Sequence, residues 1–596
     1  MEINMKVESL KFKEESTTKD NGRVYYSGND YYGQQASPTV SYATLEKDYW
    51  LLDGKKTLLP QNNFAIQPLI SDSMTDENGL FVVQPSITIS AIGSGLTYDL
   101  IGLTFTFDEL DKDYPTEIHV DRYLNDSLLG TQIYTNEKVF TILGEGISGF
   151  NKVVIRFVKM NKSYRRLRIT KMMLGIMQQY TDENLIECKQ TWLVDLLSRE
   201  ITDATFKMTI DNRSLNYNAD NPNSINRYFQ ERQPLEIKYF YETSENVYEL
   251  VKGGTLYLTG TPTTEEFEAT FEAKGSLYFK TNEFRKGIYN ANGISYYDLL
   301  QSIFTEANIT NYSIDESLKN LSTSVPLPIL PTKELIQLIC NATNTVCIED
   351  RDAKMWIKPF DLDVKNYYLD LKNQMEYPKT ETLPKLRNIN VKMCYPSLAV
   401  LETSDSEEIF SGKFNLTKAE TLKIDYSTAP ATDIEVNITN GTITDATYYA
   451  YSCELLVTPT DTTQPVDIKI NGVPIELNES TYTLNVNVEG EDCDIDNPLI
   501  ETEENARLVA EHFKNYLIKR NSYTVEYRGE PCFDATDIIE LQTQFSERVN
   551  AMITKNEIKY NGALEGKMEM KGLVWYEHIF NFNTKSGWNI TYTKSS

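Results

Sequence analysis

Most of this chain alternates apolar and polar residues with a period of two, the pattern of β-strands that bury one face. Clear examples are residues 87–90, 103–107, 117–120 and 153–157. Gly, Asn, Asp and Ser collect between such runs, as turn residues do between short strands. The pattern predicts a mainly β, multidomain protein in which helices are few.

A helical period replaces this alternation in the middle of the chain. Ser295 is a predicted N-cap with Asp298 three residues later, followed by an apolar stripe with helical spacing. A second helix is predicted to begin at Thr332. Residues 345–350 and 355–359 then return to a strand pattern, which predicts a helix, helix and hairpin in succession.

The clearest predicted helix covers residues 501–520, because it opens with glutamates and closes with lysine and arginine, in keeping with the helix dipole. Before it, residues 434–438 and 466–470 have strand periodicity. The dipeptide Asn471-Gly472 follows directly and is a strong signal for a two-residue hairpin turn.

Length and charge narrow the function classes. The 596 residues predict about three to five domains. A net charge of -28 argues against binding to nucleic acid or anionic membranes, and it suits a conduit through which DNA slides. The chain has no signal-peptide pattern and no apolar run of the roughly 18 residues that a membrane span needs. The seven scattered cysteines suggest reduced thiols made in a cytoplasm.

Five short motifs occur in order in the first third of the chain: Leu45-Glu46, Trp50-Leu51-Leu52-Asp53-Gly54, the run 102–108, Asp113-Tyr114-Pro115, and the run 164–169. Together they resemble the discoidin-like (galactose-binding-type) jelly-roll module of tail proteins in phages of Gram-positive bacteria. The resemblance implies a β-sandwich, and such modules often bind glycans through loops at one end.

A second series of motifs runs through the remainder: residues 195–197, 205–212, 221–222, 232–237 and 496–531. Their order resembles the T4-type baseplate hub family of tailed phages, which implies β-barrels with α/β inserts. Many members carry Gly-Asp after the proline that ends the last motif. Asp534-Ala535-Thr536-Asp537 takes that place here, so this turn is expected to differ.

These patterns and resemblances divide the chain into six predicted segments. They are an N-terminal arm (1–37), a discoidin-like β-sandwich (38–177), hub β-barrel 1 (178–290), an α/β insert with return strands (291–384), hub β-barrel 2 with an insertion (385–500), and a helix plus closing strands (501–596).

The sequence offers no catalytic residue and no cofactor site. Its three histidines, His119, His512 and His578, form no ligand or catalytic motif. One weak calcium pattern exists, because four acidic residues occupy positions 1, 3, 5 and 12 of an EF-hand-like loop; they are Asp492, Asp494, Asp496 and Glu503. The loop lacks the glycine of that motif, and the alternative is an acidic turn that caps the following helix.

The resemblance implies a non-enzymatic hub subunit, a homotrimer at the tail tip of a virion, synthesised in the host bacterial cytoplasm. Its expected partners are the distal tail or tail tube protein, the tape measure protein and the spike or fibre proteins. It would form part of the DNA conduit without sequence-specific nucleic-acid binding or stable membrane insertion. The main alternative is a tail adhesin that binds host-surface glycan through the discoidin-like module. A tail-associated cell-wall hydrolase would need a hydrolase domain that the sequence does not display.

Overall fold

The structure is a computed structural model, and it is mainly β and multidomain, as the periodicity predicts. The described residues are 1–8, 12, 16–20, 42–43, 46, 57–58, 69–92, 96–108, 111–143, 147–222, 224–244, 247–359, 364–398, 406–545, 548–573, 576–581 and 589–594. Most of the predicted N-terminal arm and the motif at residues 50–54 lie outside them. No helix in the described part of the chain is long and apolar enough to cross a membrane.

The chain forms two compact units. The first contains residues 1–186, 208–238 and 257–273, and the second contains 187–207, 239–256 and 274–596. In chain order, the first fifteen described strands are β1 (Glu2–Glu8), β2 (Ser16–Asp20), β3 (Tyr42–Ala43), β4 (Thr57–Leu58), β5 (Leu69–Met74), β6 (Ser86–Ala91), β7 (Tyr98–Leu100), β8 (Leu103–Phe107), β9 (Pro115–Leu124), β10 (Ser127–Thr135), β11 (Phe140–Leu143), β12 (Ile147–Phe150), β13 (Lys152–Met160), β14 (Arg166–Met173) and β15 (Gly175–Tyr180).

Two antiparallel sheets of the first unit enclose one core. Their strand orders are β10-β9-β13-β6-β2 and β11-β8-β14-β5. Alternate residues of both sheets are buried, and Phe105 of one sheet meets Phe157 of the other edge to face, with ring centroids 5.8 Å apart. The four strand patterns that opened the sequence analysis all lie in this double-layered core, so the predicted strands are confirmed.

Strand β1 is a structural element that the prediction of an arm over residues 1–37 misses. It pairs antiparallel with β15, and its first residues also pair with residues 235–238. Ile3, Met5 and Val7 are fully buried. Their spacing of two is the usual strand signal, and a run this short at a chain end is easily overlooked.

The next strands are β16 (Leu185–Leu193), β17 (Thr205–Asp211), β18 (Pro234–Ser244), β19 (Val247–Leu258), β20 (Thr263–Glu265) and β21 (Glu268–Lys274). The remaining elements are β22 (Glu283–Phe284), β23 (Ile294–Ser295), α1 (Tyr296–Glu306), β24 (Tyr312–Ile314), β25 (Ser322–Thr323), β26 (Leu330–Pro331), α2 (Thr332–Thr343), β27 (Thr345–Glu349), β28 (Met355–Pro359), β29 (Val364–Leu369), β30 (Lys379–Thr382), β31 (Leu386–Leu398), β32 (Glu407–Phe414), β33 (Glu420–Asp425), β34 (Ala431–Thr439), β35 (Gly441–Tyr448), β36 (Ser452–Pro459), β37 (Val466–Asn485), β38 (Glu491–Asp496), α3 (Glu503–Leu517), β39 (Asn521–Tyr527), β40 (Ile538–Leu541), β41 (Val549–Tyr560), β42 (Leu564–Gly572), β43 (Tyr576–Asn581) and β44 (Asn589–Lys594).

The principal sheet of the second unit joins distant parts of the chain. Its order is β16-β41-β42-β39-β30, and β40 pairs with β41 and with β29. Residues 188–193 of β16 run antiparallel to residues 555–560 of β41. These strands therefore come from an early segment, from the stretch 364–382 and from residues 521–572.

All three predicted helices are present. Ser295 caps α1 by accepting a hydrogen bond from the Asp298 amide at 3.1 Å, as its spacing predicts. Helix α2 begins at Thr332, and α3 begins after the cap Thr502. The three helices contribute most of the large apolar core of the second unit, together with residues of β31.

A small β-sandwich of strands β32 to β36 and the first half of β37 is inserted in the second unit. One layer has the order β32-β37-β34 and the other β33-β36-β35, and a single apolar core lies between them. The predicted hairpin turn at Asn471-Gly472 is wrong, because β37 runs straight through both residues. A Cβ on Gly472 would come within 2.9 Å of Ile409 and Ile434, so close packing explains this glycine.

Candidate functional site

A cavity of about 720 Å³ lies in the second unit, within the usual range of ligand pockets. Its walls come from the end of β16, the segment 202–204, the β27–β28 hairpin and the turn 534–537. Two tryptophans, Trp192 and Trp356, contribute half-buried indole rings. These wall segments are distant in sequence, and each is held in place by its own hydrogen bonds.

Asp350 fixes the β27–β28 turn. Its carboxylate accepts hydrogen bonds from the backbone amides of Asp352 and Lys354, each at 2.9 Å. It also accepts one from the Trp356 indole Nε1 at 2.7 Å. The Lys354 ammonium lies 3.8 Å from the centre of the same indole ring. The turn therefore sets the orientation of one of the two tryptophans.

Arg351 ties this hairpin to the opposite wall. Its guanidinium donates to Asp534 at 2.8 Å and to the carbonyl of Phe533 at 3.1 Å. A third bond goes to the carbonyl of Lys252 at 2.8 Å. The guanidinium carbon lies 5.3 Å from the centre of the Trp192 ring. Because several of its N–H groups are committed in this way, Arg351 acts as a brace across the cavity wall.

The turn that follows carries backbone strain. Thr536 has a φ of +95°, a region that favours glycine and is an outlier for a β-branched residue. Its amide donates to the Ile553 carbonyl at 2.7 Å, and the Asp537 carboxylate accepts from the Asp534 amide at 2.9 Å. Thr536 thus holds a positive φ without a glycine, within the stretch Asp534–Asp537 for which the sequence predicts an altered turn.

Glu349 is a cavity carboxylate whose environment disfavours ionisation. Burial raises the pKa of its carboxyl, and the nearby charges of Asp203 and Asp350 raise it further, against the hydrogen bonds from Ser276 that lower it. One carboxylate oxygen accepts from the Ser276 amide at 2.9 Å, and the other is buried without a hydrogen-bond partner. The negative charge at this point is therefore under-compensated.

The cavity as a whole is acidic. Six carboxylates line it, against two cationic side chains, Arg351 and Lys358. Asp315 accepts hydrogen bonds from the Ser317 amide at 2.9 Å and hydroxyl at 2.5 Å, both of which are neutral donors. The arrangement suits a positively charged ligand next to an aromatic ring.

The residues of the weak calcium pattern do not form a loop. Asp492, Asp494 and Asp496 alternate along β38, and Glu503 begins α3. Arg387 pairs with Asp492, and the Asn390 side chain donates to Asp494 at 2.8 Å. A third contact joins Lys392 to Asp496 at 3.6 Å. No group of three or more metal-ligating side chains in the described part of the chain is arranged to hold an ion, and calcium binding stays an untested prediction.

The histidines take no part in the cavity. His119 lies in β9 of the first unit and contacts Glu117 at 2.7 Å. His512 lies in α3, where burial lowers its pKa. His578 lies in β43, whose side chains are outside the description. None of the seven cysteines forms a disulfide.

In the first unit, three of the discoidin-like motifs meet. Glu46 is fully buried and pairs with Arg168, whose guanidinium donates at 3.0 Å to one carboxylate oxygen. Asp113, also fully buried, contacts Arg165 at 3.2 Å. Motifs that are over 120 residues apart in the sequence thus join through a buried ion pair, which is a structural role for them.

The sequence analysis did not identify the cavity. Trp356 and the residues 349–351 were seen only as parts of a hairpin, and Trp192 was not singled out. The one usable signal was the stretch Asp534–Asp537, for which the sequence predicts a turn that differs from the family pattern. Proximity of walls built from residues near 192, 350 and 535 cannot be deduced from strand patterns alone.

No protein-family model and no curated protein matches this sequence. Among solved structures, the 43 kDa tail protein of prophage MuSo2 from Shewanella oneidensis is 8% identical, with 66% of this chain and 94% of that chain covered and a TM-score of 0.37. The prophage tail protein gp18 from Listeria monocytogenes is 9% identical, with 66% and 91% covered and a TM-score of 0.33.

A third similar structure is the E. coli c3393 protein, a component of the type VI secretion system described as structurally similar to the T4 bacteriophage tail proteins gp27 and gp5. It is 7% identical, with 65% of this chain and 73% of that chain covered and a TM-score of 0.32. None of these three names refers to a discoidin-like module, so that resemblance stays a prediction. These three similar structures are two tail proteins and a secretion-system component.

Proposed function

We propose that this protein is a structural, non-enzymatic subunit of a phage-type tail-tip or baseplate hub, which links the tail tube to the central spike or fibre apparatus. One observation carries the proposal: the pairing of β16 with β41. These two strands flank the segments that resemble the hub family, at residues 195–237 and 496–531, and they are more than 350 residues apart in the sequence. Their pairing brings the two ends of that resemblance together in one sheet, which supports a single hub body.

The buried polar contacts of this sheet suit a mechanical part. Gln190, fully buried, donates to the Gly253 carbonyl at 2.6 Å and accepts from the Tyr239 hydroxyl at 2.7 Å. On β41, the fully buried Asn556 accepts from the Tyr527 hydroxyl at 2.8 Å. Satisfied buried networks of this kind rigidify a core and specify one strand register.

Charge supports the conduit part of the proposal. A net charge of -28 repels the phosphate backbone, so DNA would pass a lumen lined by such a subunit without adhering. The proposed assembly is a homotrimer in contact with the distal tail or tail tube protein, the tape measure protein and the spike or fibre proteins. Closed cyclic symmetry would produce the lumen.

Light scattering of the purified full-length protein tests the proposal. A mass of three times 68.4 kDa supports a closed trimeric hub. A monomer at every accessible concentration, together with no incorporation into tails when tube and spike proteins are added, contradicts it. The second measurement separates a subunit that trimerises only on the tube from one that has no place in a tail.

The adhesin alternative receives less support from the first unit. It calls for exposed aromatic side chains in the loops of residues 20–60 or 120–150, and most of residues 20–60 lie outside the described part of the chain. The exposed large apolar residues described in 120–150 are aliphatic, namely Leu128, Leu129 and Ile133. Glycan-array binding by the full chain, lost when the loops around these residues are changed, would nevertheless establish that function beside the structural one.

A further inference from the structure

The acidic cavity of the second unit has a shape and chemistry that the proposed hub role does not use. It is partly enclosed, about 720 Å³ in volume, and has two indole rings in its walls. A surface that only packs against neighbouring strands needs no such space. Cavities of this size with aromatic walls and a few fixed polar groups are the usual form of binding sites.

Charge decides which ligand fits. The hydrogen-bond donors to Asp315, Glu349 and Asp350 in the described part of the chain are neutral amides, hydroxyls or the indole of Trp356. With six carboxylates in the wall against Arg351 and Lys358, the cavity keeps a net negative potential. The guanidinium of Arg351 does not change this, because it is bonded to Asp534.

The aromatic rings already hold cations of this chain at their faces. The Lys354 ammonium lies 3.8 Å from the Trp356 ring centre, and the Arg351 guanidinium lies 5.3 Å from that of Trp192. Both contacts have cation–π geometry. They show that ammonium and guanidinium groups fit sterically at these walls.

We propose that this cavity receives a lysine or arginine side chain from a partner polypeptide. The inference deepens the proposed function, on which it rests, because the partner would be a neighbouring tail protein that presents a basic segment. The ammonium or guanidinium would lie among Asp315, Glu349 and Asp350, and its aliphatic stem would pack on an indole. No covalent step is involved.

Isothermal titration of the full-length protein with N-acetylated tetralysine amide, at low ionic strength, tests the site directly. We expect one peptide per chain. The double variant Asp315→Asn/Glu349→Gln should weaken binding at least tenfold, because it removes two charges and keeps the shapes and the acceptor oxygens. The matched control Asp445→Asn/Glu420→Gln removes two charges from exposed strands of the inserted sandwich and should leave binding within twofold.

A gain-of-affinity variant guards against misfolding as an explanation. Lys358 is exposed at the cavity rim, and Lys358→Glu should tighten peptide binding severalfold. Absence of binding overturns the proposal, and so does equal weakening by the two double variants, which would mean diffuse attraction to an acidic protein. Spermidine binding as tightly as the peptide would overturn the polypeptide source. All these measurements use the isolated protein, so they are independent of whether it trimerises or enters a tail.

Discussion

Lys571 is a buried cation whose removal should stabilise the protein. It lies in β42 between Ser522 and Met552 of the adjacent strands, and its side chain is 4% exposed. Burial lowers its pKa from 10.5 to about 8, and the charges of Arg199 and Lys519 add to the effect. It forms no salt bridge within the described part of the chain. We therefore expect Lys571→Met, which keeps the length of the side chain, to raise the free energy of unfolding.

The magnitude follows from the pKa. Each unit corresponds to about 1.4 kcal/mol, so the fall from 10.5 to about 8 represents roughly 3 kcal/mol of destabilisation by the charged form. The ammonium lies 4.8 Å from the Tyr516 ring centre, and losing that contact costs about 1 kcal/mol. The net gain expected for the methionine variant at pH 7 is therefore about 2 kcal/mol.

The stability gained by Lys571→Met must decrease as the pH rises. Below pH 8 the lysine is protonated in both states, and the folded state bears the full cost. Between pH 8 and 10.5 the folded state loses its proton while the unfolded state keeps it, so the wild type becomes more stable as pH rises. Above pH 10.5 the lysine is neutral in both states, so its burial no longer destabilises the folded state through a charge. The advantage of Lys571→Met should thus shrink steadily from pH 7.5 to pH 10.

Urea denaturation of the two proteins at pH 7 and pH 10, followed by tryptophan fluorescence, measures both effects. Lys567→Met is the matched control, because Lys567 lies on the same strand but is 48% exposed. It should change stability by no more than about 0.5 kcal/mol. A methionine variant at position 571 that is no more stable at pH 7, or whose advantage is equal at both pH values, would refute the reasoning.

Three further substitutions test other parts of the structure. Gly566→Ala should destabilise by about 2 kcal/mol, because the added Cβ would lie 2.2 Å from the ring of Tyr527, its cross-strand partner; thermal unfolding measures this. Thr536→Gly should stabilise by about 1 kcal/mol, since it relieves a positive φ at a modest cost in chain entropy, and urea denaturation reports it. Arg168→Met should destabilise by about 3 kcal/mol because it removes the cation that neutralises the buried Glu46, and calorimetry of the full chain measures this loss.

Each of these three predictions has an outcome that would contradict it. Gly260→Ala is the control for the first, because nothing lies within 4 Å of a Cβ placed there, and equal effects at the two glycines would disprove the clash. A destabilised Thr536→Gly would show that the threonine side chain contributes more than its strain costs. An Arg168→Met variant as stable as the wild type would mean that the buried pair contributes nothing beyond its desolvation cost.

The elements that sequence predicted best are those with local causes. The caps of α1 and α3 depend on residues within one turn, so Ser295 and the glutamates near residue 503 mark them correctly. Asn471-Gly472 failed because its local turn preference is overridden by the packing of Gly472 against two isoleucine side chains from neighbouring strands. That contact is tertiary and has no signature in the sequence around it.

The candidate site lay almost wholly beyond prediction for the same reason. Arg351 and Asp534 are 183 residues apart, and their contact depends on how the β27–β28 hairpin is placed next to the turn after β39. A sequence shows that both residues are charged, but the cavity exists only once these segments are adjacent. The sequence likewise shows the two motifs that contain Glu46 and Arg168, but it does not show that these residues form a buried ion pair.

Strand β37 has a consequence for the exchange of parts between related proteins. Its first half belongs to the inserted sandwich, and its second half pairs with β31 from Ile475 to Asn485. A single extended segment of 20 residues, about 65 Å long, thus crosses the junction without a flexible joint. A foreign module grafted at this position must deliver its last strand in the same register and on the same face. A replacement that ends one residue early would move the side chains of the second half to the opposite face of the sheet.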